Sequence, residues 1–513
     1  MDSACLFILH IPKPCSIIKG ENARRAEPKS MEGRRDMTDS KPRGISRLFG
    51  RFKHPFYRNL LELAIPFALQ NLIAFAMGFT DNLMVGQLGD DAISGIYMGN
   101  QPQILLQMLI GGIEGAILIL AAQYWGKGDT DSIKKVVSIG IKLAAAVGLI
   151  LSLITMFAPY AIISIFTREP GVVANGGEYL RYVGASYLFF AITQILIAAM
   201  RSVEAARIGL YISLIGYGLD CFLNYIMIFG KLGLPAMGVL GASVSTLISR
   251  TVEMLITIFY VFRVDQKLKL RFRDFKGFDK LLLKDFIHYG LPVIGGNVVW
   301  SFNNLAQSAI FGNFNSAEVL SAVSIVGQLH SLVYVWMNGL SSAVGIITGK
   351  MVGAGSPLRE IKAHAKRVQI MFLFVGLFSG VFVFLFGPTF LSFFKISAGA
   401  YGYSQQFIWV ISISLIGTCY QAACLFGLVK SGGDISFVFK MDTISVFCVV
   451  LPSALIAMHF GAAPWVVFAC LKCDQILKCF VAIVKINRFD WMKNLTRDAS
   501  EQSPAPEIET AGT

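Results

Sequence analysis

The chain is 513 residues long, 55% hydrophobic and 15% charged, with a formal net charge of +13. Soluble domains carry about 25% charged residues, so a soluble protein of about three domains is excluded. The positive excess does not mark a nucleic-acid binder, because it lies in short loops between apolar segments, where it reports membrane orientation.

In chain order, residues 1–55 read as a basic, disordered extension. The opening MDSACLFILHIPKPC has too short an apolar run, with Pro12 and Pro14 behind it, for a signal peptide, and Met37 is an alternative start. Twelve apolar segments follow, at 57–80, 92–124, 134–159, 178–200, 207–229, 238–262, 284–311, 318–350, 365–388, 403–428, 435–458 and 463–485. Each is near the roughly 20 residues needed to cross a bilayer. The fold class expected is an all-α polytopic membrane protein with twelve transmembrane helices. Residues 489–513 read as a disordered polar tail.

The loops alternate in charge. One set carries Lys127, Lys134, Lys135, Arg201, Arg207, the run from Arg263 to Lys280, Lys350, Arg359, Lys362, Lys366, Arg367, Lys430, Lys485, Arg488 and Lys493. The other offers only Arg168, Arg181, Lys231 and Lys395. Excess Lys and Arg mark the cytoplasmic side, so both termini are expected there, in a multi-pass protein of the inner (plasma) membrane.

The chain also repeats itself. Pro66 and Asn71 correspond to Pro292 and Asn297, Ser94–Gln101 to Ser321–Gln328, and Gly126-Lys-Gly128 to Gly353-Ala-Gly355, at a steady offset of 226 or 227 residues. Two six-helix lobes related by a pseudo-twofold axis along the membrane normal follow, at 56–262 and 284–488, joined by a basic linker at 263–283. Lobes of this kind bind substrate between them and rock to alternate access.

No P-loop, HExxH or nucleophile elbow is present, so the chain reads as no enzyme, needs no cofactor, and draws on an ion gradient. Cys470-Leu-Lys-Cys473 mimics a metal half-site but has no second half. An ionisable group at membrane depth is a functional-site candidate. Asp81 lies near the outer end of the first segment, in PFALQNLIAFAMGFTD; a helix cap at the surface is the competing reading. Asp220 and Asn224, four apart in the fifth segment, share one face at a depth Asp81 could share. These oxygens suit a hard cation, and a buried carboxylate suits a proton; Na+ at Asp81, Asp220 and Asn224 is one expectation. Glu114, beside Gly111, Gly112 and Gly115, reads as a structural pairing or a second titratable site. Arg250 with Glu253, and Asp474 with Lys478, read as structural pairs. In the second lobe, amides and aromatics suit a broad cavity for amphipathic cations. Asn71, Asn297, Asn303, Gln307 and Tyr420 are its candidate lining, with ordinary helix packing as the competing reading.

The chain resembles the MATE family, multidrug and toxic compound extrusion transporters of the MOP flippase superfamily, over about residues 57–488. The resemblance rests on the Pro66–Asp81 helix with its continuation DNLMVGQLG, on AAQYWGKGD at 121–129, on NYIMIFG at 224–230 with GVLGASVSTLISR at 238–250, and on DQILK at 474–478. It implies a multidrug exporter that exchanges small organic, amphipathic, cationic compounds for Na+ or H+. It implies Asp81 as the coupling carboxylate, Pro66 as a hinge, and Asp220, Asn224 and Thr246 as an ion site. The chain departs from the family in the order of acid and amide, Asp220 then Asn224, where some branches have the reverse. That moves the carboxylate by about 5.4 Å and leaves sodium against proton open. Branches with acids in helices 7 and 10 have no match here. A monomer is expected. A flippase for lipid-linked precursors is the alternative within the superfamily, and a non-transporting receptor or assembly factor the alternative outside it.

Overall fold

The computed structural model describes residues 55–497 apart from Phe278, Asn315 and Lys395. The extension before residue 55, the alternative start at Met37 and the tail after Arg497 lie outside the described residues. Within lipid a backbone can satisfy its polar groups only by coiling on itself, and the described chain is helical nearly throughout.

The twelve spans are α1 (Pro55–Val85), α2 (Asp90–Gly99 and Gln101–Lys127), α3 (Thr130–Phe157) and α4 (Pro170–Ala185 and Tyr187–Ser202). They continue with α5 (Ala206–Phe229), α6 (Gly238–Phe259), α7 (Lys280–Gly312) and α8 (Ala317–Gly353). The last four are α9 (Leu358–Leu391), α10 (Ala398–Gln421, running on as π-helix to Lys430), α11 (Ile435–His459, with a π-turn at Ser445–Val450) and α12 (Pro464–Lys472 and Asp474–Arg488). Among the described residues nine helices are long and apolar enough to cross a membrane alone, and α4, bent by 46°, makes ten. The remaining two, α7 and α12, are diluted by side chains the sequence had flagged: Asn297, Asn303, Asn304 and Gln307 in one, Asp474 and Lys478 in the other.

Caps fix several ends. The Asp129 carboxylate accepts from Ser132 N at 3.0 Å and opens α3. Asp279 accepts from Leu281 N and Leu282 N, both at 3.1 Å, and opens α7. Gly128 and Gly355 adopt φ of 80° and 64°, the left-handed region glycine enters without strain, and each ends or follows its helix.

The lobes exchange apolar ends. Leu60, Leu63, Ala64 and Phe67 of α1 lie in a core cluster otherwise built from the second lobe and Ala206. Leu282, Phe286 and Val293 of α7 lie in the core of the first. Glycines close the seam in twofold-related pairs. A Cβ on Gly126 would collide with the Lys350 carbonyl, and one on Gly353 with the Gln123 carbonyl; both partners are related by the same 227-residue offset. Likewise a Cβ on Gly112 would collide with Ile294, and one on Gly339 would come within 2.7 Å of Ala68 N. This reciprocity is the signature of a self-complementary twofold interface. Small residues that let backbones approach are how helices associate without a hydrophobic driving force.

The seam lies between mid-membrane and the face where α1 begins and α12 ends, hereafter the terminal face. There Lys350 also meets Glu204 at 2.8 Å. Toward the opposite face, Asn297 Nδ2 donates to the Met108 carbonyl at 3.3 Å, and Ser301 Oγ contacts Met108 Sδ at 3.3 Å. Farther toward that opposite face, among the described residues, no hydrogen bond joins the lobes. Gly78, Gly312 and Gly327 there have nothing within 4 Å of a built Cβ.

Residues 489–513 are expected from sequence to form a disordered tail. Phe489–Arg497 instead pack onto the terminal face, with Trp491 0% exposed, so the tail can begin only after Arg497. Trp491 and Leu495, with Phe489 and Met492 packed partly buried beside them, bury enough apolar surface to order this short stretch.

The seam generates a direct test. Gly353→Val should lower the melting temperature in detergent, at a cost of about 1–3 kcal/mol from overpacking. Gly327→Ala should leave it unchanged.

Candidate functional site

Asp81 lies within α1, four residues before its end at Val85, so it does not cap the helix. It faces α5. Asn224 Nδ2 donates to Asp81 Oδ1 at 3.0 Å and stands 3.4 Å from Asp220 Oδ2. One amide nitrogen thus spans two carboxylates from different helices. The opposite amide orientation would set a carbonyl oxygen against both acceptors, so the pairing itself fixes the side chain. On its far side, Asn224 Oδ1 accepts from Ser245 Oγ of α6.

Asp220 and Asn224 are 7% and 2% exposed, while Asp81 is half-buried. Asp220 Oδ1 and Ser249 Oγ each lack a hydrogen-bond partner of good geometry, although the Ser249 hydroxyl stands beside the Asp220 carboxylate. Thr246 lies beside Asp220, its hydroxyl donating to the Ala242 carbonyl at 3.1 Å with oxygen lone pairs left free. The site therefore offers carboxylate oxygens from α1 and α5 and hydroxyl oxygens from α6. Such a set fits a hard cation or a proton shared between acids. Two carboxylates drawn this near repel strongly in a medium of low dielectric constant, and either occupant relieves that.

The other charges nearby belong to α6. The Arg250 guanidinium lies 4.0 Å from Glu253 and 4.4 Å from the centre of the Phe190 ring, as the i, i+3 spacing anticipated. Gly216 of α5 makes room for it, since a Cβ there would come within 3.2 Å of the Glu253 side chain. The sequence reading missed Ser245 and Ser249. The signal was present: Ser245, Ser249, Glu253 and Thr257 recur every fourth residue, and all four are buried, which is a polar stripe facing protein.

Glu114 finds its partner in Arg201, which sequence placed in a loop but which closes the last turn of α4. Arg201 also donates to Gln70 Oε1 at 2.6 Å, and Gln70 donates to Ser213 at 2.8 Å. This network ties α1, α2, α4 and α5 together. In the second lobe Lys478 pairs with Asp474 at 3.0 Å and also with Asp442 of α11 at 2.9 Å.

Pro66 is buried inside an unbroken α1. It has no N–H to give the Glu62 carbonyl, so the ladder is already weakened there. The candidate cavity residues do not gather. Asn71 is half-buried on α1. Asn297 crosses the seam to Met108. Asn303 Oδ1 is buried without a partner. Gln307 accepts from Lys472 of α12 at 3.3 Å. Tyr420 lies inside the second lobe, donating to Gln369 of α9 at 2.9 Å.

The family model described as MatE matches residues 66–226 and 292–456, more than half of the chain and once per lobe. A curated relative, the probable multidrug resistance protein NorM of Rhizobium meliloti, is 28% identical over 330 residues, 62% of this chain and 67% of its own. The protein of the same name in Listeria monocytogenes is 22% identical over 451 residues, 87% of this chain and 98% of its own. Among solved structures, a MOP superfamily transporter from Pyrococcus furiosus superposes with a TM-score of 0.77 at 17% identity, covering 88% of this chain and 98% of that one. The duplicated match, the twelve helices in two lobes and the shared fold lead to one conclusion: the chain belongs to the MatE family of membrane transporters and is not an enzyme.

Proposed function

We propose that this protein is a secondary multidrug exporter, exchanging amphipathic, cationic organic compounds for Na+ or H+ across the plasma (inner) membrane. The observation that carries the reading is the Asn224 bridge, which joins Asp81 of α1 to Asp220 of α5. Loading an ion there changes the charge of α1, a helix that reaches from the site to the seam. Asp81 is the main coupling group, Asp220, Asn224 and Thr246 complete the ion site, and Pro66 lets α1 bend as charge is gained or lost. An occupant can drive the cycle only by binding one facing better than the other.

The terminal face is cytoplasmic on this reading, with both termini inside, lobes at 56–262 and 284–488 and a linker at 263–283. The closed seam then corresponds to a form open to the outside. Na+ would take oxygens of Asp81, Asp220 and Asn224; a proton would sit on the carboxylates. Substrate would enter between the lobes, near Asn71, Asn297 and Asn303, with a single chain as the working unit. A flippase for pyrophosphate-linked lipids needs unpaired cations in its cavity. Arg201 is paired with Glu114, and Arg250 stands beside Glu253, which disfavours that alternative.

Efflux of a fluorescent cationic dye from proteoliposomes, under a sodium gradient and separately a pH gradient, tests this. Asp81→Asn should abolish gradient-driven efflux under both while expression and insertion stay normal; unaltered efflux would remove Asp81 from its role. Asn224→Leu should slow efflux at least about tenfold, near the 1–3 kcal/mol of a stranded polar group. Thr246→Val should cost less, having one of several oxygens to lose.

A further inference from the structure

We propose that residues 489–497 form a latch that holds the terminal face shut, and that its first-lobe contacts must release before that face opens. The inference rests on the reading that the lobes alternate, and extends it to a segment outside the twelve spans.

The strap is anchored twice in the second lobe. Trp491 is buried in that lobe's core, its Nε1 donating to the Ile486 carbonyl at 3.1 Å. Lys493 N donates to the Gly432 carbonyl at 2.8 Å, and Lys493 Nζ pairs with Asp434 at 2.8 Å. Lys485 holds the other Asp434 oxygen at 2.8 Å. Burial alone would raise the Asp434 carboxyl; the two ammonium groups outweigh it and hold it below the ordinary carboxylate range, so this anchor stays charged at neutral pH.

The strap then crosses to the first lobe. Leu495, 7% exposed, packs in the first lobe's core, and its N–H donates to Gln123 Oε1 at 2.7 Å. Gln123 Nε2 reaches back to the Lys493 and Ser431 carbonyls, each at 3.3 Å. Arg497 N donates to the Tyr124 hydroxyl at 3.3 Å, and Lys127 donates to the Arg497 carbonyl at 2.8 Å. The Arg497 guanidinium grips Asp285 through bonds of 2.5 and 2.8 Å, at the start of α7, the second-lobe end that packs into the first lobe's core.

One short segment thus has an apolar anchor in each lobe and bridges both at the seam. Gln123 is fully buried, and its side-chain bonds go to the 431–434 loop and the strap. Trp491 and Lys493 hold the strap to the second lobe, so parting the lobes at Gly126 and Gly353 pulls Ser431, Lys493 and Leu495 away from this amide together. Buried amides are costly to strand, so strap and seam open together.

Hydrogen exchange read by mass spectrometry tests this on the detergent-purified full chain, without ion or substrate. The variants are a chain ending at Asn494, which keeps Trp491 and Lys493, and Arg497→Gln. Expected is a rise of at least about tenfold in exchange at 121–127 and 349–353 in the shortened chain, a smaller rise in Arg497→Gln, and no change within α5 or α10. Unchanged protection at 121–127 would overturn the latch. So would a uniform rise through all helices, which would make the strap part of the general fold. Because the readout involves no transport, a failed efflux prediction for Asp81 leaves it standing, and its own failure leaves the coupling site untouched.

Discussion

A single amide nitrogen lets this membrane protein keep two acids on facing helices. In lipid a polar group must find its partner within the protein, and a lone carboxylate at depth is expensive. Asn224 donates toward Asp81 and Asp220 and is itself held by Ser245, so the pair is oriented without being neutralised. The remaining acceptor, Asp220 Oδ1, is left over in a buried place. A site with surplus negative charge and an unfilled acceptor is one whose energy changes when a cation arrives. On the proposed reading α1 would carry that change elsewhere, because its other end is packed into the opposite lobe.

The seam explains why a modest energy can matter. Besides the exchanged apolar ends of α1 and α7, it is built of glycine contacts and a few polar links. Two facings can then lie within a few kcal/mol of each other, which is what a population shift by an ion requires. The contacts are reciprocal: Gly126 on Lys350 matches Gly353 on Gln123, and Gly112 on Ile294 matches Gly339 on Ala68. Each lobe presents the other with the surface it receives. Rocking one lobe against the other about an axis in the membrane plane would break these contacts as a set.

Much of the scaffold was legible because its signals are serial. Apolar length, alternating loop charge and a fixed offset can all be counted along a chain, and they yield spans, lobes and repeat. Helix breaks escape apolar windows: the bend at Ser186 sits in a run that stays hydrophobic, and the break at Asn100 is marked only by Pro102 just after it. Within Gly126-Lys-Gly128, Gly128 ends the helix and Gly126 serves the seam. Local sequence carries the first role, and only tertiary structure carries the second. At the site, the i, i+4 pair Asp220 and Asn224 was readable from spacing, whereas its meeting with Asp81 needed the packing of α1 on α5. Arg201 and Trp491 were misplaced for one reason: each stands at the edge of an apolar run, where composition cannot tell a loop from a last turn or a docked strap.

The repeat also shows where the lobes part company. Asp81, moved by 226 residues, falls on Gln307, which accepts from Lys472 instead of facing an acid. Residues 220–224, moved by the 226 to 230 residues that separate the two family matches, fall within 446–454, which holds no acid. Positions at the seam have kept their partners through duplication, and positions at the site have not. The seam must close on both sides of the axis or fail, so its two halves constrain each other. A coupling charge needs to move only one of two rocking bodies, since the other moves relative to it. A second acid in the opposite lobe would add another desolvated charge without adding a direction of motion. The chemical asymmetry thus sits within a symmetric frame.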